Sequence, residues 1–143
     1  MIGIDTTFLV HLELLEMPHH EHSRELLERH ALTPGVPVAL VPQVLAEFIH
    51  VVTDSRRFQH PLAMPRALAR AEFWWTATEV RHVYPTAESI NLFIQWMANQ
   101  GLGRKRILDT QLAATLWSAG VDRLFTWNAR DFLVFGGFEL IGG

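Results

Sequence analysis

Hydrophobic positions along the chain fall into short unbroken runs and longer stretches spaced three and four residues apart. Met1-Ile2-Gly3-Ile4 is an apolar run ending on Asp5, and residues 2–5 are expected to form a buried strand. Helices near 7–16 and 20–31 follow, interrupted by Met17-Pro18. Val36 to Val41 is a second apolar strand. Pro42 then opens a helix that runs to about Thr53, at a position where its missing N–H does no harm. A polar stretch from Asp54 to Ala63 precedes a helix begun by Pro65, and Val80 to Tyr84 is a candidate third strand. Ile90, Phe93, Ile94 and Met97 have i, i+3, i+4, i+7 spacing, which predicts an amphipathic helix over 86–99. Another helix over 106–119 stops at Gly120, followed by strands at Arg123–Trp127 and Phe138–Ile141. Strands alternating with helices imply an α/β fold with a mostly parallel sheet, flanked by helices on both faces.

At 143 residues the chain is expected to form a single domain spanning 1–143, with 49% hydrophobic and 19% charged residues. The absence of cysteine excludes a disulfide framework, a thiolate metal site and a cysteine nucleophile. No basic leader followed by an apolar stretch is present, and no apolar run is long enough to span a bilayer. The expected address is therefore the cytoplasm, with no membrane contact. A net charge of −3 argues against nucleic-acid binding through a global positive field. Local basic clusters remain, at Arg56-Arg57 and Arg104-Lys105-Arg106.

The candidate chemistry is acidic. Asp5 ends the first strand, where open α/β sheets keep their ligands. Asp109 shares a helix face with Leu112, Ala113 and Leu116, which aims its carboxylate inward, where a charge needs a partner, a proton or a metal. A first-turn Asp complementing the helix dipole is the competing explanation. Glu47 borders the apolar face marked by Val44 and Val51, and an ordinary solvated Glu fits that position too. Asp131 follows Thr126-Trp127-Asn128 just after a strand, where an Asx turn or a helix cap explains it equally well. If these acids converge, with no obvious Lys nearby, they repel one another unless divalent cations fill the site. Oxygen-only ligands suit Mg²⁺ or Mn²⁺. Such a site supports phosphodiester hydrolysis by metal-activated water.

Four segments carry a resemblance: Ile4-Asp5-Thr6-Thr7-Phe8-Leu9-Val10, Val44-Leu45-Ala46-Glu47-Phe48, Leu108-Asp109-Thr110-Gln111-Leu112-Ala113-Ala114, and Thr126-Trp127-Asn128-Ala129-Arg130-Asp131-Phe132. They are similar to the four motifs of PIN-domain proteins, in order and across nearly the whole chain. A stand-alone domain of this length most resembles the VapC-type toxins of toxin–antitoxin pairs. The resemblance implies a PIN fold, commonly dimeric, and a Mg²⁺-dependent ribonuclease with Asp5, Glu47 and Asp109 as central acids. It further implies a cognate antitoxin as partner and Thr126 as an orienting hydroxyl. The fourth motif departs from the fullest pattern, because Asn128 stands where many relatives have Asp. Asp131 is then the nearest ionised group, and whether Asn128 or Asp131 fills that position stays open.

Arg104, Lys105 and Arg106 precede Asp109 and are candidates for contacting RNA phosphates, or a plain solvated cluster. His19, His20 and His22 are expected in solvent, and His11 and His82 have no evident partner. Phe73-Trp74-Trp75 cannot all face one core, so one ring is expected at an interface with a second copy or an antitoxin. No phosphate-cradling glycine loop and no G-x-S-x-G elbow occur. Two rivals to the nuclease are a receiver-like signalling module and a PIN-like scaffold that binds RNA or protein without cutting. The first would want paired acids after the first strand and a Lys after a late one, and residues 121–128 contain no Lys.

Overall fold

A computed structural model describes all residues, 1–143. Its elements are β1 (Ile2–Ile4), α1 (Thr6–Glu13), α2 (His20–Leu27), β2 (Val38–Leu40), α3 (Pro42–Val52), α4 (Met64–Thr76), β3 (Val80–His82), α5 (Ala87–Asn99), α6 (Ile107–Ser118), β4 (Arg123–Thr126), α7 (Ala129–Phe132) and β5 (Glu139–Gly142). A π-turn over Glu28–Leu32 extends α2, and short 3-10 turns at Arg104–Arg106 and Leu133–Phe135 precede α6 and follow α7.

The sheet order is β3-β2-β1-β4-β5, and every neighbouring pair is parallel. β1 is central, with Ile2 opposite Val38 and Gly3 opposite Leu124. All three of its residues are buried, as expected of a parallel strand covered on both faces. Gly3 has a packing reason: a Cβ there would meet Leu116 Cδ1 at 2.7 Å, so the missing side chain leaves room for Leu116 of α6 against β1. Phe8, Phe48, Phe125, Phe132, Leu112 and Leu116 are fully buried and join the helices to both faces of the sheet.

From β1 the chain adds β2 and β3 on one side, then β4 and β5 on the other. The order therefore reverses between β1 and β4. A crevice opens at the carboxyl ends of the strands beside such a reversal. Asp5 follows β1 and Thr126 ends β4, so both stand at that crevice.

Several expected boundaries move. α1 ends at Glu13, because Leu14 is extended at φ −106°, ψ 118°. Glu13 is held there by Arg70, by two bonds, and by the Trp74 indole N–H at 3.0 Å. The second strand is shorter than expected, since Val41 already serves as the N-cap of α3. The helix over 86–99 begins at Ala87, with Thr86 and Ser89 forming a reciprocal capping box.

The histidines expected in solvent divide. His20 is buried, and its Nδ1 meets the His11 carbonyl oxygen at 2.9 Å. His19 and His22 are exposed, yet both rings lie against Trp127, at centroid distances of 4.0 and 5.4 Å. His11 also has a partner, since its Nδ1 accepts the His19 backbone N–H at 3.3 Å. Burial lowers the His11 imidazole to about 4, with neighbouring His19 adding to the effect. His82 stacks on Trp75 at 3.4 Å. Of the aromatic run, Trp74 is buried and Phe73 is 52% exposed, with the Arg70 guanidinium 4.3 Å above its ring. No helix is long and apolar enough to cross a membrane.

Candidate metal centre

Asp5 is the N-cap of α1, in the extended conformation that such a position requires. Its Oδ1 accepts the Phe8 N–H at 2.9 Å and the Thr7 hydroxyl at 2.7 Å. Its Oδ2 accepts the Thr126 hydroxyl at 2.5 Å, across 121 residues of sequence. Each hydroxyl is itself anchored by a backbone amide of the β4–α7 loop. Trp127 N–H donates to Thr7 Oγ at 3.0 Å, and Asn128 N–H donates to Thr126 Oγ at 2.8 Å. The carboxylate is thus clamped at the crevice with 3% of its residue surface exposed.

The other acids come from three further elements. Asp109 stands in the first turn of α6 and Glu47 midway along α3, both half-buried. Gln43, one turn before Glu47, donates from Nε2 to Glu47 Oε1 and to the Leu108 carbonyl, each at 2.9 Å. That amide ties α3 to the start of α6, beside Asp109. Asp131 lies in α7, where its Oδ2 accepts the Asn128 side-chain amide at 2.5 Å. Arg106 turns inward, its guanidinium donating to the Asp131 carbonyl with Nη1 4.0 Å from Asp131 Oδ1. Arg104 and Lys105 remain exposed. The basic run therefore splits, two side chains facing solvent and one compensating the acids. Sequence reading singled out neither Thr7 nor Gln43.

The electrostatics link these groups. Burial pushes the Asp5 carboxyl up to about 6; the bonds from Thr126, Phe8 and Thr7 oppose that, and the charge of Asp109 reinforces it. Asp109 is also pushed up to about 6, first by burial, then by the charges of Asp131 and Glu47, with Arg106 opposing. Asp109 is therefore the hub, since it feels or is felt by each of the other three acids. Trp127, Asn128, Arg130 and Asp131 line an open cleft of about 470 Å³. A larger cleft of about 710 Å³ lies away from this chemistry, against Glu13, Arg70 and Trp74.

The donor set fits a hard cation: carboxylate oxygens, two of them with raised pKa values that a positive charge would relieve. No three of these side chains stand ready around one point, however. Glu47 and Asp131 are each held by a neighbouring amide, Gln43 and Asn128. A cation would have to exchange those amide bonds for its own.

No family model matches the chain. Over 131 residues it is 30% identical to the ribonuclease VapC43 of Mycobacterium tuberculosis, an alignment covering 92% of this chain and 86% of that protein. The chain belongs to the VapC ribonuclease family. The ribonuclease VapC24 of the same species is 29% identical over 138 residues, covering 95% of this chain and 92% of its own length. Among solved structures, Mycobacterium tuberculosis VapC20, described as a sarcin-ricin loop cleaving toxin, superposes with a TM-score of 0.75 at 20% identity over the full length of both chains. FitAcB from Neisseria gonorrhoeae gives a TM-score of 0.70 at 15% identity, covering 99% of this chain and 97% of the other. At those identities the likeness establishes the fold, which is that of PIN-domain VapC proteins. In this VapC chain the neutral side chain at the fourth motif, Asn128, binds Asp131 rather than facing the crevice alone.

Proposed function

We propose that this chain is a Mg²⁺-dependent endoribonuclease and the toxin of a type II toxin–antitoxin pair. The observation that carries the reading is the buried Asp5 at the strand-order reversal, its carboxyl raised to about 6 and coupled through Asp109 to Glu47 and Asp131. Membership of the VapC ribonuclease family supports the same reaction class.

Asp5, Glu47 and Asp109 hold the cation in this reading, with Asp131 as a further ligand and Asn128 placing a water beside it. When bound, Mg²⁺ or Mn²⁺ would make a water easier to deprotonate and would place positive charge opposite the phosphate. Thr126 and Thr7 keep the Asp5 carboxylate from turning. Gln43 limits the swing of Glu47 toward Asp109. Arg104 and Lys105, exposed just ahead of α6, contact RNA phosphates on approach. Arg106 offsets part of the acidic charge and holds the α7 backbone in place. Direct attack by water requires no covalent intermediate on the protein.

An antitoxin partner and a homodimer belong to the same proposal, as does a cytoplasmic location. VapBC-1 from Haemophilus influenzae, a fold relative with a TM-score of 0.66, carries both components in its name. Here an amphipathic antitoxin helix would cover exposed apolar residues such as Phe73, and a separate part of the antitoxin would bring a basic side chain to the acids. A second reading, a PIN-like scaffold that binds RNA without cutting, is favoured by one observation: no three ligands stand preassembled. Incubation of the purified protein with total RNA, in Mg²⁺ and in EDTA, separates the two. Discrete fragments in Mg²⁺ alone support the nuclease; RNA retained intact in both supports the scaffold.

A further inference from the structure

The two hydroxyls on Asp5 are not equivalent in what they leave free. A carboxylate oxygen offers two lone-pair directions. Oδ1 receives two donors, the Phe8 N–H and the Thr7 hydroxyl, and Oδ2 receives only the Thr126 hydroxyl. One acceptor direction therefore remains, and it belongs to Oδ2. The capping of α1 does not require Thr7, because the Phe8 N–H alone completes an N-cap bond. Nor is the hydroxyl free to turn away. The Trp127 N–H donates to it at 3.0 Å, so its own hydrogen is left for Asp5.

We propose that Thr7 is a positioning residue that holds Asp5 to single-oxygen coordination, with Oδ1 closed and Oδ2 presented to the cation. This rests on the metal-dependent reading above and extends it to the choice of metal. Mg²⁺ demands near-ideal octahedral geometry, whereas Ca²⁺ accepts bidentate carboxylates and irregular shells. A clamp that closes one oxygen of Asp5 removes the bidentate mode and favours the smaller ion. Without the Thr7 hydroxyl, Oδ1 regains a lone pair, the Trp127 N–H loses its acceptor, and the carboxylate can rotate about its remaining bonds. Affinity for Mg²⁺ falls and discrimination against Ca²⁺ narrows.

Calorimetric titration of the purified full chain with Mg²⁺ and with Ca²⁺ tests this, on the wild type and on Thr7→Val, Thr7→Ser and Asp5→Asn. Melting in EDTA establishes that each variant is folded. Thr7→Val is expected to bind Mg²⁺ at least about tenfold more weakly, the scale of losing a group that orients a ligand, with a smaller loss for Ca²⁺. Thr7→Ser, which keeps the hydroxyl, restores the wild-type affinity and ion preference. In single-turnover RNA cleavage the Val variant loses rate at subsaturating Mg²⁺ with unchanged RNA affinity. If Thr7→Val does not fold, Thr7→Ala removes the same hydroxyl without the branched bulk and is read identically. Wild-type Mg²⁺ affinity and ion preference in the hydroxyl-less variant overturn the proposal, as does a Ser variant no better than Val. Asp5→Asn separates the two possible failures. If it loses Mg²⁺ binding while Thr7→Val does not, only the role of Thr7 falls; if it keeps Mg²⁺ binding, the metal site itself falls.

Discussion

Replacing Asp5 by Asn should remove a pH-dependent cost from the metal-free protein, and the size of that pH dependence follows from the site. Burial raises the Asp5 carboxyl from 3.8 to about 6. That difference of roughly two pH units corresponds to about 3 kcal/mol, at about 1.36 kcal/mol per unit. The sign follows from linkage. With the folded value above the unfolded one, the folded chain binds the proton more tightly. The contribution of Asp5 is therefore most favourable below the unfolded value of 3.8 and is lost as pH rises through about 6. Asn is close in shape and does not titrate. Its stability relative to Asp should rise by about 2.4 kcal/mol between about pH 4 and pH 7, or roughly 5–10 °C in melting temperature for a chain of this size. Mg²⁺ should offset that difference near neutrality. The wild type gains about 2.7 kcal/mol at a hundredfold excess over Kd, and the variant gains little. Melts of both proteins in EDTA and in Mg²⁺ across this range, at matched ionic strength, provide the readout. Parallel wild-type and Asn curves in EDTA would refute the claim that Asp5 is buried at a cost.

Two further substitutions probe the groups around Asp109. Glu47→Gln should lower RNA cleavage at least about tenfold, by analogy with the loss of groups that support metal ligands, while the melting temperature in EDTA stays level or rises; unchanged cleavage would place Glu47 outside the site. Arg106→Gln removes the charge that holds Asp109 down, so the Asp109 carboxyl rises further above about 6 and the acidic limb of the cleavage–pH profile moves to higher pH. A profile that does not move would show that Arg106 acts only on the α7 backbone.

The alternation of apolar runs with i, i+3, i+4 spacing was enough to anticipate the parallel sheet, because the three central strands, β1, β2 and β4, are short and largely buried. Asp5 and Asp109 were legible for the same reason: one ends the central strand and the other interrupts a buried stripe. The supporting groups were not. Thr7 reads as an ordinary first-turn residue until Trp127, 120 positions later, donates to it. Gln43 gains its role only when the Leu108 carbonyl arrives across 65 residues. Arg106 looks like one member of a basic run, and it is the 3-10 turn at Arg104–Arg106 that sends it inward while its two neighbours stay in solvent. Among the histidines expected in solvent, only His20 departs from that place. A polar stretch beside Pro18 suggested solvent, which holds for His19 and His22 even though their rings lie against Trp127, whereas His20 is buried against the His11 carbonyl. Such contacts depend on where distant segments return in space, which local pattern does not encode.

The central claim is that one coupled acidic cluster cuts RNA with the help of a divalent cation. Single-turnover cleavage of a defined RNA by the wild type, Asp5→Asn and Asp109→Asn, each in Mg²⁺ and in EDTA, tests it most directly. The expected result is cleavage by the wild type in Mg²⁺ alone, with both variants folded and slowed by at least about 10²-fold, beyond the upper end of losses from removing a group that merely supports a ligand. Cleavage by the wild type in EDTA, or near-wild-type rates from both variants in Mg²⁺, would contradict it.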